Sequence, residues 1–200
     1  MARLNGAQIV LESLQREGID TMFGYPGGVV LPLYDTLPQY PGIRHILVRH
    51  EQAAAHMADG YARAQAAGSG SALAQAVPVR RTLVTGICTA WMDSTPVLAL
   101  TGNVTRALLG KDGFQEADIT GITQPITKHN YLVMRADNIA MSMREAVHIA
   151  LQPAGPGSVL VDIPKGRLPG RSRVRMAEQI NLRGYRPTTE GHAGMIGCCR

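Results

Sequence analysis

Short apolar stretches recur along this chain, and segments with helical character separate them. Asp20 to Phe23, Ile43 to Val48, Val97 to Thr101 and Ser158 to Ile163 are the clearest examples. The last two are nearly unbroken runs of Val, Leu, Ala and Ile, as expected of strands buried on both faces. We read Ile43 to Val48 as buried too, and Gly102 as the residue that stops its strand. Between the strands, Asn5 can cap a helix with Ala7, Ile9, Val10, Leu11 and Leu14 on its apolar face, and Gly18 ends it. Val30 to Leu37, the run from Glu51, and Asn138 to Leu151 are further helices, with Pro41-Gly42 as a break. Strands alternating with helices predict an α/β fold: a doubly wound, mostly parallel sheet flanked by helices.

Two hundred residues suffice for one domain with a real core, or for two small ones. With 45% apolar residues but only two Phe and one Trp, that core must be built from aliphatic side chains. The net charge of +5 comes largely from Arg63, Arg80, Arg81 and the stretch from Lys165 to Arg175. No aromatics interleave with that stretch, so a solvated tail is the better reading than a nucleic-acid surface. After Pro164 no strand or helix period is sustained, which predicts a domain over 1–165 and a linker or truncated tail over 166–200. Cys88, Cys198 and Cys199 do not form a disulfide framework and fit a reducing, cytoplasmic setting. No signal core and no run of about 18 apolar residues is present, so a soluble protein is expected.

Five features bear on chemistry. Glu51 opens the small-residue run Glu51-Gln52-Ala53-Ala54-Ala55-His56-Met57-Ala58, directly after a strand. An acid there faces the positive end of the helix dipole, a plain stabilising role of about 0.3–1 kcal/mol. Gly24-Tyr25-Pro26-Gly27-Gly28 joins a strand to a helix, where open α/β sheets bind ligands, although a plain turn would look the same. Phe114, in Gly113-Phe114-Gln115-Glu116, is either a core plug or a substrate wall. Lys128 and His129 read as ordinary surface groups. His50 and His56 are six apart, not the four that lets one helix face hold a metal, so no metal ligands are assigned.

The strings FGYPGG, RHILVRHEQAAAHMADGYARA, LVTGICTAWMDSTPVLALTGNV, GFQEADITGITQPITKHNYLV and SVLVDIPK together resemble the pyrimidine-binding domain of the acetolactate synthase (acetohydroxyacid synthase) large subunit. The likeness covers about residues 4–165. It implies a thiamine-diphosphate-dependent condensation of pyruvate with a second 2-oxo acid, in branched-chain amino-acid biosynthesis. By this resemblance Glu51 is the catalytic acid that hydrogen-bonds the cofactor's aminopyrimidine. Tyr25, Pro26, Gly27 and Gln115 would bind the cofactor, Phe114 would face substrate, and Lys128 would lie near the entrance or the flavin. The resemblance also implies a homodimer, a regulatory small subunit, and Mg2+ and FAD in the full-length enzyme.

Three departures accompany the matches. Where the family has Thr-Ser-Gly-Pro-Gly-Ala-Thr-Asn, this chain reads Ala74-Gln75-Ala76-Val77-Pro78-Val79-Arg80-Arg81-Thr82. The codons ACA AGC GGT CCC GGT GCG ACG AAC, preceded by GC, translate into that run, so residues 68–82 read as a frameshifted segment. The shift sets Gly68-Ser69-Gly70-Ser71 where a buried strand is expected. The family's Gly-Arg-Pro-Gly-Pro turn, with an arginine near the flavin, is here Ala154-Gly155-Pro156-Gly157-Ser158. Finally, the Gly-Asp-Gly tripeptide of the family's diphosphate domain does not occur in these residues. The second expectation is therefore a catalytically inert fragment that at most associates with other subunits.

Overall fold

The computed structural model describes residues 2–69, 74–77, 80–111, 113–114, 116–152, 155–174, 176, 180 and 182. Strand β1 (Ala2–Asn5) leads directly into α1 (Gly6–Arg16). Asn5 caps that helix as its sequence predicts: its side chain accepts from the Gln8 amide at 2.8 Å, while its own amide donates to Gln8 Oε1 at 3.0 Å. Gly18 leaves the helix at φ +74°, where a side chain would be strained.

Six parallel strands then form one sheet. They are β2 (Thr21–Gly24), β3 (Arg44–Leu47), β4 (Ala74–Val77), β5 (Val97–Asn103), β6 (His129–Leu132) and β7 (Val159–Pro164), in the spatial order β3-β2-β4-β5-β7-β6. Helices α2 (Leu31–Thr36), α3 (Glu51–Ser69), α4 (Val84–Met92), α5 (Ile119–Thr123) and α6 (Ile139–Leu151) fill the crossovers. A strand's two-residue period sorts the core into two layers. Met22, Leu98, Leu100, Val159 and Val161 face α1, α2 and α6. Phe23, Val97, Ala99 and Leu160 face α3, α4 and α5. The expected doubly wound α/β architecture is what forms. The Arg144 guanidinium donates to both oxygens of Glu17 at 2.6 and 2.7 Å, tying α6 to α1.

Four local expectations are corrected. Strand β3 is the sheet's outer edge and not a buried strand: Leu47 is 64% exposed, and the buried residues are its flanks Ile43 and Val48. Gly102 does not stop β5, which continues to Asn103. A Cβ at Gly102 would lie 2.6 Å from Val30 Cγ1 and 2.8 Å from Val29 Cγ2, so the glycine makes room for the turn after β2. Gly68 and Ser69 extend α3 instead of replacing a strand, and Ala74–Val77 provides the inner strand between β2 and β5. That position asks only for a free backbone donor and acceptor row, which four non-proline residues supply. Past Pro164 the chain is not featureless: β8 (Arg171–Val174) pairs antiparallel with β1. Leu168 is buried in the core, and the amides of Ala7 and Gly6 donate to the carbonyls of Leu168 and Gly170. A two-stranded ribbon beside the main sheet needs no alternating buried face, so no period announces it.

Candidate functional site

Strand order reverses at β2. From there the chain passes through α2 on one face to β3, and then through α3 on the other face to β4, on the far side of β2. The carboxyl ends of β2 and β4 therefore flank a topological switch point, the crevice where open α/β sheets bind ligands. Three segments meet around it: the turn after β2, the start of α3 after β3, and the short 3-10 helix Arg80–Leu83 after β4.

The turn presents Tyr25, 41% exposed, and Pro26, while Gly27 is half-buried. The Val30 amide closes it by donating to the Gly27 carbonyl at 2.9 Å, and Val29 and Val30 anchor it over Gly102. Glu51 is the first residue of α3 and half-buried. The His50 ring accepts from the Gln52 amide through Nδ1 at 3.2 Å, satisfying one of the helix's free donors. Thr82 Oγ1 donates to Glu51 Oε2 at 2.9 Å. Thr82 thus holds one carboxylate oxygen, and among the described residues none holds the other.

Helix packing sets that arrangement. Ala54, Ala55, Ala58 and Ala62 of α3 lie fully buried against Leu83, Ile87 and Ala90 of the α4 segment. A Cβ on Gly86 would come within 2.3 Å of Ala55 Cβ and 3.2 Å of the Ala55 carbonyl carbon, so the two helices are in backbone-close contact there. At the far end of the seam Arg63 donates to Asp59 at 3.0 Å and to Asp93 at 2.6 Å, and these acids hold the guanidinium still more firmly protonated.

Beneath the site lies a buried polar clasp. Thr101 Oγ1 and Asn103 Nδ2 of β5 donate to the two oxygens of Asp162 on β7, at 2.7 and 2.6 Å. Asn103 Oδ1 in turn accepts from the Val104 amide at 2.8 Å, fixing the root of the loop that carries Phe114.

Residues 4–122 match the family described as thiamine pyrophosphate enzyme, N-terminal TPP binding domain. The chain belongs to this family. Curated relatives include acetolactate synthase of Mycobacterium bovis, 48% identical over 98% of this chain and 31% of its own length. The acetolactate synthase large subunit of Haemophilus influenzae and the isozyme 3 large subunit of Escherichia coli are each 44% identical, over 98% of this chain and 34% of theirs. The chain thus spans about a third of the length of the curated relatives it matches. These alignments run through the 68–82 segment and well past Pro164.

Among the residues singled out for this thiamine pyrophosphate enzyme domain, Glu51, Tyr25, Pro26 and Gly27 all follow the carboxyl ends of the neighbouring strands β2 and β3. Phe114 sits in the loop leaving the carboxyl end of β5. It is 88% exposed, so it is not a core plug. The loop is held by Glu116, whose carboxylate accepts from the amides of Gly113 at 2.8 Å, Lys111 at 3.3 Å and Gly110. Gln115 lies outside the described residues. Lys128 is placed elsewhere: it precedes β6, at the amino end of the parallel strands, and its amide donates to the Ser158 carbonyl. Its ammonium donates to the carbonyls of Ile149, at 2.6 Å, and of Gly155, and burial lowers its pKa. It caps the end of α6 and lines a polar cleft of 590 Å³ with Asp118, Gln124 and His129. The Gly121 amide and the Thr120 hydroxyl hold Asp118 below the usual carboxylate range. Thr82, Gly86 and Asp162 escaped the sequence reading. Only the spacing Glu51–Ala55 and Thr82–Gly86, four residues in each case, could have paired two of them.

The donor set fits the pyrimidine end of thiamine diphosphate. A ring nitrogen beside an amino group needs one carboxyl oxygen with a free lone pair or proton, and Glu51 carries a carboxylate of which one oxygen alone is held by Thr82 among the described residues. Among the described residues no cluster of three or more His, Cys, Asp or Glu side chains could hold a metal. Also among them, no helix is long and apolar enough to cross a membrane.

Proposed function

We propose that this chain is the pyrimidine-binding domain of an acetolactate synthase large subunit, which condenses pyruvate with a second 2-oxo acid. The observation that carries the proposal is the Glu51 carboxylate at the switch point, one oxygen held by Thr82 and the other held by none of the described residues. When bound, thiamine diphosphate supplies the nucleophilic carbon chemistry that such a condensation needs. Glu51 would hold the aminopyrimidine end of the cofactor through Oε1, keeping a proton at that carboxyl oxygen. Tyr25, Pro26, Gly27 and Gln115 would bind the cofactor beside it, and Phe114 would face the substrate. Lys128 takes no part in this reading, because its ammonium is engaged at the other end of the sheet. A cytoplasmic homodimer with a regulatory subunit, and with Mg2+ and FAD bound outside this domain, completes the proposed assembly.

The test is a graft of this chain in place of the matching third of the Haemophilus influenzae large subunit. The graft is expected to make acetolactate from pyruvate, and Glu51→Gln to lower kcat/KM by roughly 100-fold or more. A folded graft whose turnover is indifferent to Glu51→Gln refutes the assignment.

A further inference from the structure

Glu51 cannot position itself. It sits at the first position of a helix, where a three-torsion side chain is free to swing between the crevice and solvent. What faces it is the Thr82 hydroxyl, 2.9 Å from Oε2, reaching across from the segment after β4. Thr82 is exposed, but the backbone that carries it is fixed. Leu83, the next residue, has no exposed surface, and Gly86, four residues on, lies against Ala55, four residues after Glu51. The pairs Glu51–Thr82 and Ala55–Gly86 are successive rungs of one helix–helix contact. The second rung, too close for any side chain at Gly86, sets the distance of the first. A threonine hydroxyl has one proton to give, and a carboxylate can only accept it. Its donation pins Oε2 and directs Oε1 away from Thr82.

We infer that Thr82 is a positioning residue for Glu51: its hydroxyl fixes one carboxylate oxygen so that the other is presented to an aminopyrimidine ring. This inference rests on the proposed role of Glu51 and extends it to a residue on a different crossover. It also gives a purpose to the close α3–α4 approach, since helices packed at ordinary distance would leave the hydroxyl out of reach.

The test uses the 200-residue chain, uniformly 13C-labelled, and a probe that is only the ring end of the cofactor, 4-amino-5-hydroxymethyl-2-methylpyrimidine. The Glu51 carboxyl resonance is followed while the probe is titrated, alongside thermal melts of each variant. Thr82→Val is expected to weaken the probe's affinity by roughly three- to tenfold, the effect of one lost hydrogen bond. Thr82→Ser is expected to stay within about twofold of the unsubstituted chain, because it keeps the hydroxyl. Thr82→Ala, which has no branched side chain to misplace, repeats the loss if valine disturbs the fold. Melting midpoints that agree while affinities differ separate positioning from stability. Unchanged affinity in both Thr82→Val and Thr82→Ala overturns the inference, as does a Thr82→Ser variant as weak as Thr82→Val. Glu51→Gln separates the two layers. If it loses the probe while Thr82→Val keeps it, only the Thr82 role falls. If it binds the probe like the unsubstituted chain, the reading of Glu51 falls and Thr82 with it.

Discussion

Replacing Gly86 by alanine sets two well-known effects against each other. In a helix interior alanine is favoured over glycine by about 0.5–1 kcal/mol, because glycine loses more backbone freedom on folding. By that rule alone Gly86→Ala stabilises α4. The added methyl, however, would stand 2.3 Å from Ala55 Cβ and 3.2 Å from both the Ala55 carbonyl carbon and the His56 amide nitrogen. Carbon atoms rest about 3.5–4.0 Å apart, so α4 must retreat by about 1.2 Å before the methyl fits. Two of the three obstructing atoms are backbone and cannot turn aside. A retreat of that size pulls Leu83, Ile87 and Ala90, none of which has exposed surface, off the α3 seam. Gaps of 0.5–1 Å forfeit about a quarter to a half of each contact's attraction, and overpacking of this kind costs about 1–3 kcal/mol. The clash outweighs propensity over nearly all of that range, and the net loss is up to about 2.5 kcal/mol once the 0.5–1 kcal/mol gain is set against it. For a domain of this size that is a fall of up to roughly 10 °C in the thermal midpoint, measured by circular dichroism or calorimetry. The same retreat carries Thr82 away from Glu51, so the Glu51 carboxyl resonance should move in the same variant. A midpoint that rises in Gly86→Ala would refute the backbone-close α3–α4 contact and, with it, the geometry assigned to Thr82.

Two further substitutions probe the frame around the site. Asp162→Ala leaves the Thr101 hydroxyl and the Asn103 amide buried without their acceptor, and should cost about 2–4 kcal/mol in urea denaturation. A loss under about 1 kcal/mol would show that the clasp does not hold β5 to β7. Asp118 caps α5 through the Gly121 amide at 2.9 Å, so Asp118→Ala should cost about 0.5–1 kcal/mol at pH 7. Its folded pKa is depressed, so its contribution is present above the unfolded value of about 3.9 and fades as pH falls through the folded one. The difference between Asp118→Ala and the unsubstituted chain should therefore shrink as pH falls below the unfolded value in parallel denaturation curves, and a gap that stays constant there would place the stabilisation elsewhere.

What could be read from the residues was local, and what could not was brought together from a distance. Asn5 and Gly18 announce the ends of α1 because a cap needs only a side-chain acceptor and a turn needs only a residue free at positive φ. The nearly unbroken apolar runs of β5 and β7 announce burial on both faces. Glu51 and the turn at Tyr25 stand where strands meet helices, so their place at the site was legible. Thr82 was not: its contact joins residues 31 apart, through a helix pair whose approach depends on a glycine and four alanines. Ala2–Asn5 and Arg171–Val174 were not legible either. Each makes sense only as the partner of the other, and strands of four residues are too short to leave a period behind. Lys128 looked like a surface cation or a site residue because nothing nearby in sequence reveals that the end of α6 lies within its reach.

The segment from Ala74 to Thr82 shows why fold and site respond differently to the same change of sequence. As β4 its residues need only offer backbone groups at strand spacing, because β2 and β5 already present the complementary rows on either side. Small, unremarkable residues satisfy that, so the sheet closes although the run departs from the Gly-Pro-Gly loop of the family it resembles. The crevice is a different matter. A Gly-rich loop serves a ligand with backbone amides, whereas the residue that reaches the site here does so with a side chain, the hydroxyl of Thr82. A side-chain donor holds only as long as its backbone is clamped, and the clamp in this chain is the contact of Gly86 with Ala55. The sheet would survive replacement of Gly86 with modest loss. The open oxygen of Glu51 would lose its direction first, so sensitivity at the site should exceed sensitivity of the fold for every substitution along the α3–α4 seam.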